Sequence, residues 1–286
     1  MNLPSSFILE FPEIYQIEVS SKCNFKCIMC PRSIYKRKDM KPFLDIKLIH
    51  KLLDEGAFRG SYFVELQMSG EPLLHPNLLE IIKLLKSYAG IKIGLSTNGS
   101  LITNNLKTLS NLDYITISVD SMSNYSNIRV NGDFNKLMNN IDLLKNNTDA
   151  SIDLQVIELE NSDWKETKKF LYNKFPTMNV RSIPNCFLTI THEGSSVSKN
   201  ICLNPWLSCS IQSNGNVVPC CFSFWDDIIY GNLYNQSLKE IWNGDAVKKL
   251  RYQHETKCYE NICSRCYMRS PVLLHWELFT KSFRSY

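Results

Sequence analysis

Six short runs of alternating apolar residues, most of them followed by an amphipathic helical stretch, limit this chain to a parallel α/β architecture. The runs lie at 15–20, 62–68, 91–95, 113–119, 151–157 and 178–183. Alternation with period two puts successive side chains on opposite faces of a sheet. Helical periodicity fills the intervals, over 44–55, 76–88, 103–110, 133–146 and 163–174. Strand–helix–strand repetition calls for right-handed crossovers and a parallel sheet covered by helices. Periodicity alone leaves a curled partial barrel and an open doubly wound sheet both open. Asp163, with Glu166 three residues on, reads as a capped helix start.

After the sixth run the pattern breaks. The stretch from His192 to Asn200 is polar and rich in Gly and Ser, which reads as a linker. Ser208–Gln212 and Asn216–Cys220 then flank Ser213-Asn214-Gly215, a strong hairpin signal. Ser237 and Glu240 form a capping box that opens a short helix through Ile241 and Trp242. Pro271–Tyr286 carries Val, Leu, Trp and Phe and reads as a terminal helix packed on the body of the protein. The expected division is residues 1–185, a linker at 186–200, and a small C-terminal module at 201–286.

Length and composition exclude several classes. A chain of 286 residues with 44% hydrophobic content can bury a sizeable core. A net charge of +4 is too mild to argue for nucleic acid. The dense basic run Arg32, Lys36, Arg37, Lys38 and Lys41 reads as a solvated loop in preference to an anion-binding patch. Met1–Phe11 has neither the basic start nor the apolar core of an export signal, so a cytoplasmic location is expected. No apolar run approaches the ~20 residues of a membrane span. Eleven cysteines then argue for metal or redox work rather than a disulfide framework.

Their placement is sharper than their number. Cys23, Cys27 and Cys30 stand as C-x-x-x-C-x-x-C directly after the first strand-like run, and no cysteine follows until Cys186. Three thiolates on one tight loop can hold three corners of a [4Fe–4S] cubane and leave the fourth iron open. Structural zinc, the alternative, calls for a fourth ligand that is not nearby. Loops at the C-terminal ends of barrel strands are also where active sites sit. Eight more cysteines fall in the last third: Cys186, Cys202, Cys209, Cys220, Cys221, Cys258, Cys263 and Cys266.

The first trio resembles the signature of the radical S-adenosyl-L-methionine (SAM) superfamily. That resemblance selects the six-stranded parallel partial (β/α)6 barrel, with a small C-terminal cysteine-rich module of twitch/SPASM type. It implies a [4Fe–4S] cluster whose open iron binds SAM, and a 5′-deoxyadenosyl radical that abstracts hydrogen. It also implies an electron donor such as flavodoxin or ferredoxin. Three further segments match, each at the end of a strand-like run. Ser69-Gly70-Glu71-Pro72 resembles the family's GGEP loop, with Ser69 in place of the first Gly. In the family this loop meets the SAM amino group through backbone carbonyls and the Glu region. Ser96 and Asn98, in Ser96-Thr97-Asn98-Gly99, are expected near the ribose. Ser118 and Arg129 are expected at the ribose and the SAM carboxylate, where an Arg fork fits well. Met29 is expected to pack near the adenine.

In the last third, Cys202, Gly215 and Cys220 followed by Cys263-Ser264-Arg265-Cys266 resemble the twitch form of the SPASM class. The implied ligands of one auxiliary [4Fe–4S] cluster are Cys202, Cys220, Cys263 and Cys266. Cys221, Cys209 and Cys258 are alternates, and Cys186 reads as a small buried residue. A zinc ribbon is the competing reading of these thiolates. The wider pattern resembles the twitch-type dehydrogenases. It implies a radical SAM oxidoreductase that acts on a sugar-like or aminocyclitol-like small molecule, with the auxiliary cluster accepting an electron. Arg181, after the sixth run, is the implied substrate contact. The alternatives are a peptide maturase and a non-catalytic iron–sulfur or zinc scaffold.

Overall fold

The computed structural model describes residues 9–35, 37, 40–88, 90–185, 200–224 and 227–266. Cys186, the linker residues before Asn200 and the tail 271–286 lie outside the described residues. The six runs form β1 (Ile14–Ile17), β2 (Phe63–Glu65), β3 (Lys92–Thr97), β4 (Tyr114–Ser118), β5 (Ser151–Glu158) and β6 (Asn179–Pro184). Each pairs in parallel with the next. β6 ends the sheet order, so the barrel is not closed.

Helices Ile46–Asp54, Leu78–Lys86, Phe134–Lys145 and Trp164–Lys174 make four of the crossovers. The stretch expected as one helix over 103–110 divides into a 3-10 turn, Ile102–Asn105, and one helical turn, Leu106–Leu109. Asp45 and Asp133 cap their helices through side-chain bonds. Asp163 does not. Its carboxylate accepts from the Ser121 hydroxyl and from the Ser123 N–H at 2.9 Å, which ties the loop after β4 to the helix it precedes.

The two faces of the sheet differ in kind. The outer face carries Tyr15, Ile17, Val64, Leu66, Ile93, Leu95, Ile115, Ile117, Leu154 and Val156, all buried under the helices. Each such side chain contributes roughly 1.5–3 kcal/mol by leaving water. The inner face has an apolar floor at the N-terminal ends of the strands. Ile14, Phe63 and Tyr114 meet there with Leu203 and Leu207. Above that floor the inner face is polar.

The expected hairpin forms as β7 (Ser208–Ile211) and β8 (Asn216–Val218). Gly215 turns it with φ +85°, and a Cβ there would stand 2.8 Å from the Tyr234 ring. β8 stops at Val218, short of Cys220. A two-residue strand, β9 (Gly231–Asn232), pairs with β8, and the Ser237–Glu240 capping box is present. β7 lies parallel beside β1, from Ile14↔Ser208 to Ile17↔Ile211, so one nine-stranded sheet runs through both regions.

The basic run is not simply solvated. Lys36 and Lys38 lie outside the described residues, but the Arg37 side chain has no exposed surface and pairs with the equally buried Glu18. Glu18 Oε1 accepts from Arg37 Nη1 at 3.2 Å and from the Ser69 hydroxyl. Its Oε2 accepts from Arg37 Nη2 and from the Ser213 N–H at 2.9 Å. Lys41 places its ammonium 3.8 Å from the centre of the Tyr234 ring.

Removing one partner of such a pair strands a charge away from water. Arg37→Met should therefore cost about 3–5 kcal/mol of stability, and the double variant Glu18→Gln/Arg37→Met should recover much of it. Urea unfolding of the cluster-free protein measures both. A single variant as stable as wild type would show that Glu18 is not desolvated.

Candidate active site

The cysteine loop begins just past β1 and is pinned from the opposite side by the segment 128–131. Lys26 donates its N–H to the Val130 carbonyl at 3.1 Å, and Ile28 to Ile128 at 3.0 Å. The Asn131 side-chain amide donates to the Asn24 carbonyl at 3.2 Å. Cys30 donates to the Cys27 carbonyl at 3.1 Å and opens the short helix Pro31–Ile34. Three thiols thus share one turn, Cys27 buried, Cys23 and Cys30 half-buried.

These sulfurs are already met by donors. The Phe25 N–H lies 3.4 Å from Cys23 Sγ, the Asn98 amide 4.0 Å from the same atom, and Arg129 Nη1 3.7 Å from Cys27 Sγ. Such contacts suit thiolates that ligate iron and help set a cluster's potential. Burial pushes the free Cys23 and Cys27 thiols up, and Arg129 pulls Cys27 back. Metal binding would then release protons from them. Among the described residues no three His, Cys, Asp or Glu side chains converge on a single-ion site. Thiolates around a cubane stand further apart than the ligands of one zinc ion, because iron and sulfide lie between them.

The loop Ser69–Pro72 packs directly on the cysteine loop. A Cβ on Gly70 would stand 2.1 Å from the Ser20 carbonyl oxygen and 2.5 Å from that of Lys22, so only glycine fits. The Glu71 carboxylate is buried. It accepts from the Leu73 N–H (3.2 Å), the Thr97 hydroxyl (2.7 Å) and the Asn98 N–H (2.8 Å), and its own N–H bonds to the Lys22 carbonyl. Burial pushes this carboxyl up against the pull of those bonds. Glu71 is a stitch between the ends of β2 and β3, capping the 3-10 turn Pro72–Leu74. The Ser69 hydroxyl is spent on Glu18.

Arg129 is buried and bonded to Asp120 at 2.5 Å, so its charge already has a carboxylate partner. Asp120 is held in turn by the Ile157 N–H at 2.9 Å and sits at φ +68°. Asn98 binds Asn24 at 2.9 Å and accepts from Ser100 at 2.9 Å. Met29 is buried in the main core.

The polar inner face is bonded strand to strand. The Ser210 hydroxyl donates to Gln16 Oε1 at 3.1 Å, and Gln16 Nε2 to Glu65 at 3.3 Å. Ser96 donates to the other oxygen of Glu65 at 3.0 Å. Further round, Arg181 pairs with Asp153 at 3.3 Å and donates to the Thr116 hydroxyl at 3.3 Å, while Asn179 donates to Asp153 at 3.0 Å. Arg181 therefore lies inside β6 rather than after it. Ser118 ends β4 half-buried, in register with Gln155, which is opposite Arg181.

In the C-terminal region, burial pushes the Cys220 thiol up to about 12, and charge on Cys202 and Cys266 adds to the effect. Cys263 lies one turn from Cys266, whose N–H reaches its carbonyl at 3.4 Å. Cys209 is buried in the outer-face core, and Cys258 is exposed with its thiol on the Thr256 carbonyl. Cys221 and Cys220 border a small cavity with Gln16, Glu65 and Ser210, so this group reaches the underside of the polar face.

Sequence reasoning passed over Gln16, Glu18, Glu65, Asp120 and Asp153. Alternation marks Gln16 and Glu18 as one face of β1, but not that this face is interior. The partner of Arg129 is nine residues before it, with no helical spacing to announce it.

Residues 17–171 match the radical SAM superfamily, and residues 202–267 match the SPASM iron–sulfur cluster-binding domain. The first match alone spans more than half of the chain, which therefore belongs to the radical SAM superfamily. It is a radical SAM enzyme, using a [4Fe–4S] cluster and SAM, with an auxiliary iron–sulfur region. The chain is 32% identical over 120 residues to the tungsten-containing aldehyde ferredoxin oxidoreductase cofactor-modifying protein of Pyrococcus furiosus, covering 39% of this chain but 32% of that protein. It is 26% identical over 261 residues to the S-adenosyl-L-methionine-dependent 2-deoxy-scyllo-inosamine dehydrogenase of Niallia circulans, covering 88% of this chain and 91% of that one. The fold is similar to BtrN in complex with AdoMet and 2-DOIA (TM-score 0.63, 19% identity, 92% of this chain, 97% of that one). It is also similar to Streptococcus suis SuiB bound to S-adenosylmethionine (TM-score 0.62, 16% identity, 91% and 73%). No helix among the described residues is long and apolar enough to cross a membrane.

Anaerobically reconstituted protein should carry about eight irons and eight sulfides, and the triple variant Cys23→Ala/Cys27→Ala/Cys30→Ala about half. Iron and sulfide analysis checks this, and tightly bound zinc with only four irons in wild type would overturn the second cluster.

His75, on the same loop as Glu71, gives a pH dependence. Its Nε2 faces the Leu44 carbonyl at 3.0 Å and its Nδ1 accepts from the Asn77 N–H at 3.1 Å, which fixes the neutral ring. Burial holds its pKa below 6.5. The unfolded chain takes up the proton first as pH falls, so the stability from His75 is present above that value and lost below it. His75→Gln should flatten the fall in urea midpoint between about pH 7 and 5. An unchanged slope would mean that the ring titrates normally.

Proposed function

We propose that this enzyme oxidises a small polar substrate, sugar-like or aminocyclitol-like, held on the inner face of the sheet between its two cysteine groups. The observation that carries the reading is the bonded row Ser96–Glu65–Gln16–Ser210, which starts beside the cysteine-loop end of the barrel and reaches the cavity bordered by Cys220 and Cys221. A wall of hydroxyls, amides and carboxylates over an apolar floor suits a polyol, whose many donors and acceptors each need a partner on leaving water. The similarity to a 2-deoxy-scyllo-inosamine dehydrogenase over 88% of the chain supports the same class. The likeness to SuiB, at 16% identity, bears on the fold alone.

In this reading Cys23, Cys27 and Cys30 hold the first cluster, and Cys202, Cys220, Cys263 and Cys266 the auxiliary one. Bound there, SAM and the reduced cluster would supply radical hydrogen-atom abstraction. The chain's own residues do the rest. Gly70 lets the Ser69–Pro72 backbone reach the SAM amino group, and Ser96 and Ser118 face the ribose. Arg129, neutralised by Asp120, orders the cysteine loop instead of clamping a carboxylate. Arg181, braced by Asp153 and Thr116, orients substrate hydroxyls from β6. Glu71 and Asn98 hold the strand ends in register. Cys202, Cys220, Cys263 and Cys266 would hold the auxiliary cluster, which would supply a one-electron acceptor.

Anaerobic turnover with SAM and aminocyclitols should give one 5′-deoxyadenosine per product, with the product two hydrogens lighter than the substrate. Cys263→Ala/Cys266→Ala should abolish product while some SAM cleavage remains. An unchanged product mass with solvent deuterium on carbon would sink the dehydrogenase reading. Turnover of a ribosomal precursor peptide in place of small molecules would favour a maturase.

A further inference from the structure

We propose that Arg251, with the hydroxyls of Tyr230 and Ser223, forms a cationic donor shell for the auxiliary iron–sulfur cluster and raises its reduction potential. This rests on the reading that Cys202, Cys220, Cys263 and Cys266 hold that cluster. Reduction adds one electron to the centre, and none of the three side chains makes or breaks a covalent bond.

The three donors share one anomaly. Arg251, Tyr230 and Ser223 are 5%, 6% and 0% exposed. Yet Arg251 Nη1 and Nη2, Tyr230 Oη and Ser223 Oγ have no hydrogen-bond partner among the described residues. Buried donors of this kind are rare, because each has given up water without gaining an acceptor. Each residue is also pinned to a stretch of chain that carries one of the four cysteines. Arg251 Nε donates to the Pro205 carbonyl at 2.8 Å, three residues after Cys202. The Tyr230 N–H donates to the Val217 carbonyl at 2.8 Å, on the strand that leads to Cys220, and the Ser223 N–H donates to the Cys220 carbonyl itself at 3.0 Å. The helix Asp245–Glu255, which carries Arg251, leads on to the helical turn Asn261–Arg265 that holds Cys263. Burial pushes the Tyr230 phenol well up, charge on Cys263 and Cys220 adds to this, and Arg251 draws it back. A cluster and its thiolates offer acceptors only, which is what three unanswered donors call for.

Charge singles out Arg251. Its guanidinium lies 4.7 Å from the centre of the Trp242 ring, itself fully buried. Neither Nη is bonded to a carboxylate, and Glu255, one turn further along the helix, is exposed. A buried cation with no anion beside it is costly, and water bonded to it would not supply the missing charge. A cubane with four thiolate ligands is anionic, and more so by one charge once reduced. A fixed cation in a setting that water does not screen therefore favours the reduced form. Hydroxyls that donate to sulfur act in the same direction. The sign is a higher potential, as an electron acceptor needs.

The test is a redox titration of the anaerobically reconstituted holoenzyme followed by electron paramagnetic resonance. The second cluster's signal is the one lost in Cys263→Ala/Cys266→Ala. Arg251→Met should lower that cluster's reduction equilibrium constant at least tenfold, a midpoint fall of about 59 mV for one electron. Arg251→Lys, which keeps the charge, should recover most of the loss. Tyr230→Phe should shift the midpoint the same way by less. The first cluster's midpoint should not move in any of them, and Lys248→Met, on the exposed side of the same helix, should leave both midpoints at wild type. A wild-type midpoint in Arg251→Met overturns the proposal. So does an equal fall in Lys248→Met, which would show a net-charge effect, or in Arg251→Lys, which would show that packing and not charge matters. Loss of the second cluster from a folded Arg251→Met also overturns it, by making the residue a support for the ligands. If Arg251→Met does not fold, Tyr230→Phe decides, and an unchanged midpoint there overturns the donor shell. If Cys263→Ala/Cys266→Ala keeps all its iron, or wild type holds zinc at these cysteines, the cluster assignment falls first and this shell with it.

Discussion

A carboxylate with no exposed surface must be answered by its neighbours, and Glu18 is answered by three separate parts of the chain. Arg37 comes from the arm beyond the cysteine loop, Ser69 from the loop after β2, and Ser213 from the hairpin turn of the C-terminal region. Each contact is charge-assisted and shielded from water, the setting in which hydrogen bonds are strongest and their loss most costly. The pair alone is not a source of net stability, since desolvation opposes it. What it supplies is registration: none of the three parts can shift without leaving a buried charge short of donors. Gly70 tightens the same junction by letting two backbones meet where no side chain fits.

That junction explains what the sequence shows and what it hides. β1 to β6 are legible because the outer face is apolar throughout while the inner face turns polar above its floor of Ile14, Phe63 and Tyr114, which yields alternation along most of each strand. The hairpin at Gly215 and the capping box at Ser237 are legible because local backbone chemistry dictates them. The pairing of β7 with β1 joins residues almost two hundred positions apart, and nothing local encodes it. Arg37 sits in a run of cations that by composition belongs in water, and only the distant Glu18 reverses this. Asp163 carries every mark of a helix cap yet is drawn away by Ser121 and Ser123, because a tertiary bond outcompeted the local one.

The site follows the same division. The cysteine spacings are readable because a short loop brings Cys23, Cys27 and Cys30 together by chain connectivity alone. The roles of Glu71 and Arg129 were not, since a motif gives residue types and not the direction a side chain takes. Both face inward, on Thr97 and Asn98 in one case and on Asp120 in the other. Both side chains hold backbone segments in place from within.

Polarity on the inner face is costly unless it is bonded, and here most of it is bonded strand to strand. Gln16, Glu65 and Ser96 hold one another across three strands, and Arg181, Asp153 and Thr116 do so across three more. An interior that only had to be stable would have been filled with Leu and Val, as the outer face is. Keeping carboxylates and amides there, already oriented by neighbours, means that an incoming polar molecule meets groups with little rotational freedom left to lose. The apolar floor of Ile14, Phe63 and Tyr114 closes the other end. The bonded polar groups above that floor are therefore held in fixed orientations by their neighbours on the adjacent strands.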